Sequence, residues 1–263
     1  MEKLAVVFIL IIGVLAYQTS AKTVSDSEPA KNETKSIMGR DSLDNLAPKA
    51  DYCKVSQGHT ACKFTKPNEL GACQKVNKRE LTPTEKSKIV DAHNAKRRLV
   101  AKGNQSPQPE AADMAKLVWN DEAAAIAQLW VDQCTFNHDQ ERSTVKTGKS
   151  ITNGQNLYMG MGPGDLDIDD AINAWFEEVK SFSPSSVTNF QFSMSTGHYS
   201  QLVWAKTTSI GCGFVNYGND QKIFACNYGP AGNFMGQPVY KTGKACSACP
   251  SDMSKCDDGL CTK

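Results

Sequence analysis

Apolar side chains at Ile172, Trp175, Phe176 and Val179 recur at the i, i+3, i+4, i+7 spacing of a helix with one buried face. The pattern predicts a helix opening at Asp169 or Asp170. Earlier in the chain, Asn120-Asp121 caps a run of high helix propensity that contains Ala123, Ala124, Ala125, Ile126, Ala127, Leu129 and Trp130. Upstream again, Thr82-Pro83-Thr84-Glu85 is a capping box with proline in the first helical position. The helix it starts should reach about Lys102 and stop at Gly103. Strand patterns differ. Gly154–Met159 is short and bounded by glycine. Ser209–Tyr217 and Gln221–Tyr228 are rich in Ile, Phe, Val and Tyr around the turn Gly218-Asn219-Asp220. A three-residue loop pairs Tyr217 with Gln221, and counting outward from that pair sets Cys212 opposite Cys226. A non-hydrogen-bonded pair at that register is close enough for a disulfide. Helices interspersed with a few strands, two of them a hairpin, imply an α+β sandwich. No repeat at a solenoid period is present.

The ends of the chain follow other patterns. Lys3 precedes Leu4–Ala16, an unbroken run of 13 apolar or glycine residues. A bilayer span needs about 20, so the run suits a signal peptide. Small residues at Thr19 and Ala21 place its cleavage after residue 21, with Ala16 the second choice. Removal of residues 1–21 leaves no transmembrane segment. Residues 22–50 are polar, lack aromatic side chains and read as a flexible tail. Asn32-Glu33-Thr34 is a glycosylation sequon; Asn104-Gln105-Ser106 is a poorer one because Pro107 follows. The rest divides into a loop-rich extension over 51–80, a body over 81–240 and a tail over 241–263.

Composition narrows the class. Ten cysteines in 263 residues point to an oxidising compartment. Cys53, Cys62 and Cys73 lie in the extension, Cys134, Cys212 and Cys226 in the body, and Cys246, Cys249, Cys256 and Cys261 in the tail. The tail group admits two disulfides, the ordinary outcome in a secreted chain, or an all-thiolate zinc site. With 29 Lys and Arg against 28 Asp and Glu, no global field draws the chain onto nucleic acid.

Candidate chemistry is sparse. The four histidines are His59, His93, His138 and His198, and their spacing alone brings no two together. No zinc-protease HExxH, nucleophile-elbow GxSxG, phosphate-binding or dinucleotide-binding motif occurs. Gly160-Met161-Gly162-Pro163-Gly164 reads as a surface loop. Ser200 stands beside His198, but a catalytic triad is defined by geometry and not by proximity in sequence. From the residues alone, the chain is a secreted, disulfide-bonded α+β protein.

Four motifs add a resemblance. Gly197-His198-Tyr199-Ser200-Gln201-Leu202-Val203-Trp204 and Phe224-Ala225-Cys226-Asn227-Tyr228-Gly229-Pro230 resemble the two signatures of the CAP superfamily (cysteine-rich secretory proteins, antigen 5, pathogenesis-related 1). His93-Asn94-x-x-Arg97 and Gly154-Gln155-Asn156-Leu157 match in the same order. Tyr52-Cys53-Lys54, His59-Thr60-Ala61-Cys62-Lys63 and Leu117-Val118-Trp119-Asn120-Asp121-Glu122 are similar to the arthropod venom allergen 5 branch. Wasp-type allergens carry one more cysteine shortly after the position of Cys53 and another shortly after that of His138, which pair with each other; here residues 55–57 and Glu141 stand there instead.

The resemblance implies an α-β-α sandwich, with the small sheet antiparallel, and the disulfides Cys53–Cys62, Cys73–Cys134 and Cys212–Cys226. It implies that Cys246, Cys249, Cys256 and Cys261 pair among themselves. It also implies a central cleft in which His138, Glu178 and His198 hold Zn²⁺ or Cu²⁺, beside Gln155 where the family has an acidic residue. The expected function is that of a non-enzymatic secreted effector or allergen of saliva or venom. It would bind a lipid, a sterol, a divalent metal or a host protein target and need no cofactor. Faces of the first and third helices, bordered by Met159 and Met161, are the expected apolar groove. The alternatives are a metal-dependent enzyme at the cleft, or a receptor- or channel-binding module acting through loops or tail.

Overall fold

The computed structural model describes residues 44–66, 68 and 71–263. The proposed signal segment and Asn32 lie outside them. In chain order the elements are α1 (Lys49–Val55), α2 (Thr60–Lys63), β1 (Val76–Arg79), α3 (Pro83–Ala101), β2 (Val118–Trp119) and α4 (Asp121–Val131). There follow β3 (Gly154–Met161), α5 (Ile168–Glu177), α6 (Gly197–Leu202), β4 (Ser209–Tyr217), β5 (Gln221–Gly229), β6 (Lys255–Asp257) and β7 (Leu260–Thr262). The main sheet has the order β1-β4-β5-β3, antiparallel throughout, with β2 added parallel to β4.

Local signals account for the helix starts. Thr82 and Glu85 close the capping box of α3 reciprocally, and the Asn120 side chain accepts from the Ala123 N–H at the start of α4. α5 begins at Ile168, one or two residues before the expected position, because Asp167 caps it through the N–H groups of Asp169 and Asp170. Val179 lies beyond α5 on a 3₁₀ turn over Glu178–Ser181, still buried. In the hairpin, Cys212 and Cys226 are direct partners with Cα atoms 4.1 Å apart.

Three layers follow from strand alternation. Cys212, Phe214, Phe224, Cys226 and Tyr228 face a core shared with Ile89, Trp175 and Tyr199 of α3, α5 and α6. Val215, Ile223 and Ala225 face the other way, onto Ala127 and Val131 of α4. Five disulfides form: Cys53–Cys62, Cys73–Cys134, Cys212–Cys226, Cys246–Cys256 and Cys249–Cys261. The tail cysteines are therefore cystines and offer no thiolates to zinc.

Contacts cross the expected domain boundaries in three places. Leu46 and Ala47, at the end of the expected flexible tail, pack with Tyr52 against Ile126 and Leu129. β1 of the extension pairs with β4 of the body. Leu260, in the C-terminal tail, belongs to the main core. Among the described residues, no helix is long and apolar enough to cross a membrane.

Candidate functional site

Two of the four histidines serve the fold. His59 caps α2, its Nδ1 accepting from Ala61 N at 3.1 Å while Nε2–H donates to Ser143 O at 2.8 Å. His93 is buried on α3, where Nδ1–H donates to Ile89 O at 2.8 Å. That fixes the tautomer, so Nε2 accepts the Tyr228 hydroxyl at 2.8 Å. Burial pushes the His93 pKa down to about 4. Tyr228 in turn accepts from Asn156 Nδ2 at 3.2 Å, and that amide also reaches His198 O at 3.1 Å.

The other two histidines flank the edge strand β3, each held by its own partner. β3 is the last strand on its side, and its successive residues point to opposite faces. Gln155 faces the loop of His138, whereas Asn156 faces α6 and His198. His198 Nδ1–H donates to Glu178 Oε1 at 2.7 Å. Glu178 Oε2 accepts the backbone N–H groups of His198 and Tyr199 at 2.8 and 3.0 Å, so the carboxylate also caps the first turn of α6. The indole of Trp175 stacks on the His198 ring, with centroids 6.1 Å apart.

Proton positions around His138 follow from a carbonyl. Ala123 O accepts from Asn227 Nδ2, which leaves Asn227 Oδ1 to accept from Gln155 Nε2 at 3.0 Å. Gln155 Oε1 then accepts from Asp139 N–H and from His138 Nδ1–H, both at 3.0 Å. His138 is thereby a neutral ring with its lone pair on Nε2. Its pKa is lowered by burial, against the raising effect of the Gln155 bond, with the charges of Arg142 and His198 adding to the depression.

Glu178 has a different place from the one the resemblance implies. Both of its oxygens accept hydrogen bonds from the chain, so it stands behind the His198 ring as its orienting partner. Among the described residues the donors of His138, Glu178 and His198 do not converge within 4.8 Å; the group that does, Cys246, Cys249 and Cys261, has every sulfur in a disulfide. Ser200 is buried, and its hydroxyl donates to Thr196 O or to Asn233 Oδ1 at 2.7 Å, with no histidine ring among its partners. Asn104 is exposed in the turn after α3.

The apolar faces of α3 and α5, the expected groove, join one core through Ile89, Trp175 and Phe176, and Met159 and Met161 stand exposed on β3. An apolar hollow of about 480 Å³ lies instead beside the α6–β4 connection, lined by Trp204, Lys206, Pro230, Ala231, Phe234 and Met235. Sequence reasoning also missed Asn227. Its position one residue after Cys226 turns it toward α4, but its role needs the β3–β5 register that sets it opposite Gln155.

The model of the CAP, or cysteine-rich secretory protein, family matches residues 90–228. The chain belongs to this family. Its arthropod venom allergen 5-like branch is the relevant one. The chain is 44% identical over 208 residues to venom allergen 5.02 of Dolichovespula maculata, covering 73% of this chain and 94% of that protein. It is 42% identical over 193 residues to scoloptoxin SSD976 of Scolopendra dehaani, covering 73% and 90%. Among solved structures, BmVAL-1 aligns with a TM-score of 0.60 at 28% identity, over 70% of this chain and 96% of that one. The crystal structure of NaASP2 with Zn²⁺ aligns with a TM-score of 0.56 at 30% identity, over 69% and 97%.

Proposed function

We propose that this protein is a secreted, non-enzymatic CAP protein of venom type that holds a divalent transition metal, Zn²⁺ or Cu²⁺, at Nε2 of His138 and Nε2 of His198. The observation that carries this reading is that the two rings are held in the same way. Each commits Nδ1–H to an oxygen acceptor, Gln155 Oε1 for His138 and Glu178 Oε1 for His198, which leaves each lone pair on Nε2. Imidazoles held in this way by outer hydrogen-bond partners are the usual protein ligands for zinc and copper. The solved relative with zinc supports the choice of metal.

Holding rather than turnover is favoured by how the neighbouring groups are used. Glu178 already accepts three hydrogen bonds, the Gln155 amide is not basic, and Ser200 is committed inside α6. None of these is a free general base. Titration of Zn²⁺ and Cu²⁺ into the protein and its His198→Ala variant tests the reading. Loss of one imidazole should weaken binding about tenfold or more; equal affinity in both would remove the cleft from consideration.

A second reading is favoured by the hollow beside Trp204. Its volume of about 480 Å³ falls within the usual range for small-molecule sites, and Phe234 and Met235 leave more than half of their surface open to solvent there. A lipid or sterol tail would fit that chemistry. Solvent extraction and mass spectrometry of the purified native protein checks it, and an empty extract would count against it.

A further inference from the structure

We infer that Thr60 of the N-terminal extension is a positioning residue for His138, so that metal retention depends on a segment outside the 90–228 region matched by the family model. The inference rests on the two-imidazole reading above. It starts from a weakness in the site. Residues 132–153, which carry His138, contain no helix or strand, only the isolated bridge Thr144↔Ile151. A segment of that kind does not orient a side chain unless something else grips its backbone.

Trp130 Nε1–H holds Asn137 O at 2.7 Å from α4, and the rest of the grip around Asp139 comes from the extension. Thr60 N–H donates to Glu141 O at 2.9 Å, and Thr60 Oγ1–H donates to Asp139 Oδ2 at 2.7 Å. The other oxygen of Asp139 accepts Glu141 N–H at 3.0 Å, which closes the turn. His59 Nε2–H holds Ser143 O one step further along. Beyond that, Glu122 takes the Tyr52 hydroxyl at 2.8 Å together with the N–H groups of Val145 and Lys146. Thr60, Asp139 and His59 are all buried, so these bonds are shielded from water. The Cys53–Cys62 disulfide closes a loop within the extension two residues past Thr60, and Cys73–Cys134 ties the extension to the body.

Asp139 is the relay. Its side chain is held by Thr60, and its own N–H meets Gln155 Oε1, the oxygen that also receives His138 Nδ1–H. Moving Asp139 therefore disturbs the acceptor and the backbone of His138 together. Thr60 lies 79 positions before Asp139 in the chain, and the contact exists only in the folded protein. It makes the extension part of the cleft.

The test uses Cu²⁺ as the probe on the full chain, with the dissociation constant and the electron paramagnetic resonance spectrum read together. Wild type should show coupling to two nitrogens. Thr60→Val removes the hydroxyl at nearly constant shape; it should weaken Cu²⁺ about tenfold or more and reduce the coupling to one nitrogen as His138 is released. Thr60→Ser keeps the hydroxyl and should restore both. Near-ultraviolet circular dichroism reports the folded fraction, and Thr60→Ala, measured in the cold, supplies a second break if the valine variant is partly unfolded. A wild-type constant and a two-nitrogen spectrum in Thr60→Val and Thr60→Ala would overturn the positioning role, as would a serine variant no better than valine. His198→Ala separates the two ideas. If it binds Cu²⁺ as wild type does, the cleft reading fails. If it loses Cu²⁺ while Thr60→Val does not, only the positioning role fails.

Discussion

Among the described residues no carboxylate contacts Arg97, which carries its charge into the core. Its five N–H groups reach Ala115 O, Leu202 O, Trp204 O, Ala205 O and Thr207 O, at 2.9 to 3.3 Å. Burial pushes its pKa down to about 9. A lysine could supply only three donors, so the fork of arginine is what ties α3 to the α6–β4 connection. His93, one turn earlier on α3, is the neutral counterpart, and its environment makes a prediction about acid. Its folded pKa of about 4 lies below its ordinary value of 6.5. Between those values the unfolded chain binds the proton and the folded one does not, so stability is complete above pH 6.5 and falls as pH drops toward 4. The shift corresponds to about 3 kcal/mol. Asp113 and Asp139, whose pKa values are raised by burial, act in the opposite sense. The comparison that isolates His93 is therefore the difference in urea unfolding free energy between wild type and His93→Gln across that window. The variant should lack about 3 kcal/mol of the decline, and parallel curves would refute the assignment. The pairing of His93 with Arg97 was legible only as a motif. Their roles depend mostly on carbonyls and a hydroxyl more than a hundred residues away, which spacing along one helix does not reveal.

Elements with local signals were readable, and those without were not. α3 and α4 carry their own caps, and the β4–β5 register follows from a three-residue turn. By contrast α1, α2 and α6 have seven residues or fewer, and β2 has two. Such short pieces are stable only against a partner, so their sequences carry little signal of their own. Two glycines in β4 show how a partner can be required in turn. A Cβ on Gly211 would stand 2.3 Å from Ala124 N, and one on Gly213 would stand 2.4 Å from Gln128 N. Both fall on backbone, which cannot swing aside as a side chain can. The bare strand is what lets α4 lie close enough for Gln128 to bond Phe214 N and O across the layers. Gly211→Ala should therefore lift α4 off the sheet and cost about 3 kcal/mol or more. The midpoint of chemical denaturation measures it, and an unchanged midpoint would mean that the layers separate freely. The cleft sits on the same boundary. Its Gln155–Asn227–Ala123 relay crosses from β3 through β5 to α4, so the variant should also disturb the setting of His138.

At the scale of the whole molecule, the C-terminal tail decides between an appended module and a structural strap. Cysteine spacing suggested a separate unit because cystines can hold a short segment without a core. The packing argues for a strap. Leu260 is fully buried in the main core, and Cys261 exchanges hydrogen bonds with the chain at Met114 O and Lys116 N, each 2.8 Å long. Ala248 N–H donates to Ala112 O at 3.0 Å, and Lys102 and Lys116 reach Asp258 and Asp257 at 2.7 and 2.5 Å. The surface ion pairs contribute little; the buried leucine and the strand-like contact at Ala115 contribute most. Truncation after Gly243 would open a hole beneath α3 and leave Met114 O and Lys116 N without their partners. The expected loss is at least about 4 kcal/mol, taken from the cost of deleting a buried leucine together with a buried hydrogen-bonded pair. Thermal unfolding followed by circular dichroism measures it. Dye binding to exposed apolar surface should rise in parallel, and Cys249→Ser/Cys261→Ser should fall between wild type and truncation. A truncated protein that melts with wild type would show the tail to be an independent module after all. The consequence for function is direct: loss of a biological effect on tail deletion reports first on the fold, so only a tail variant that keeps Leu260 and both cystines can test recognition by the tail.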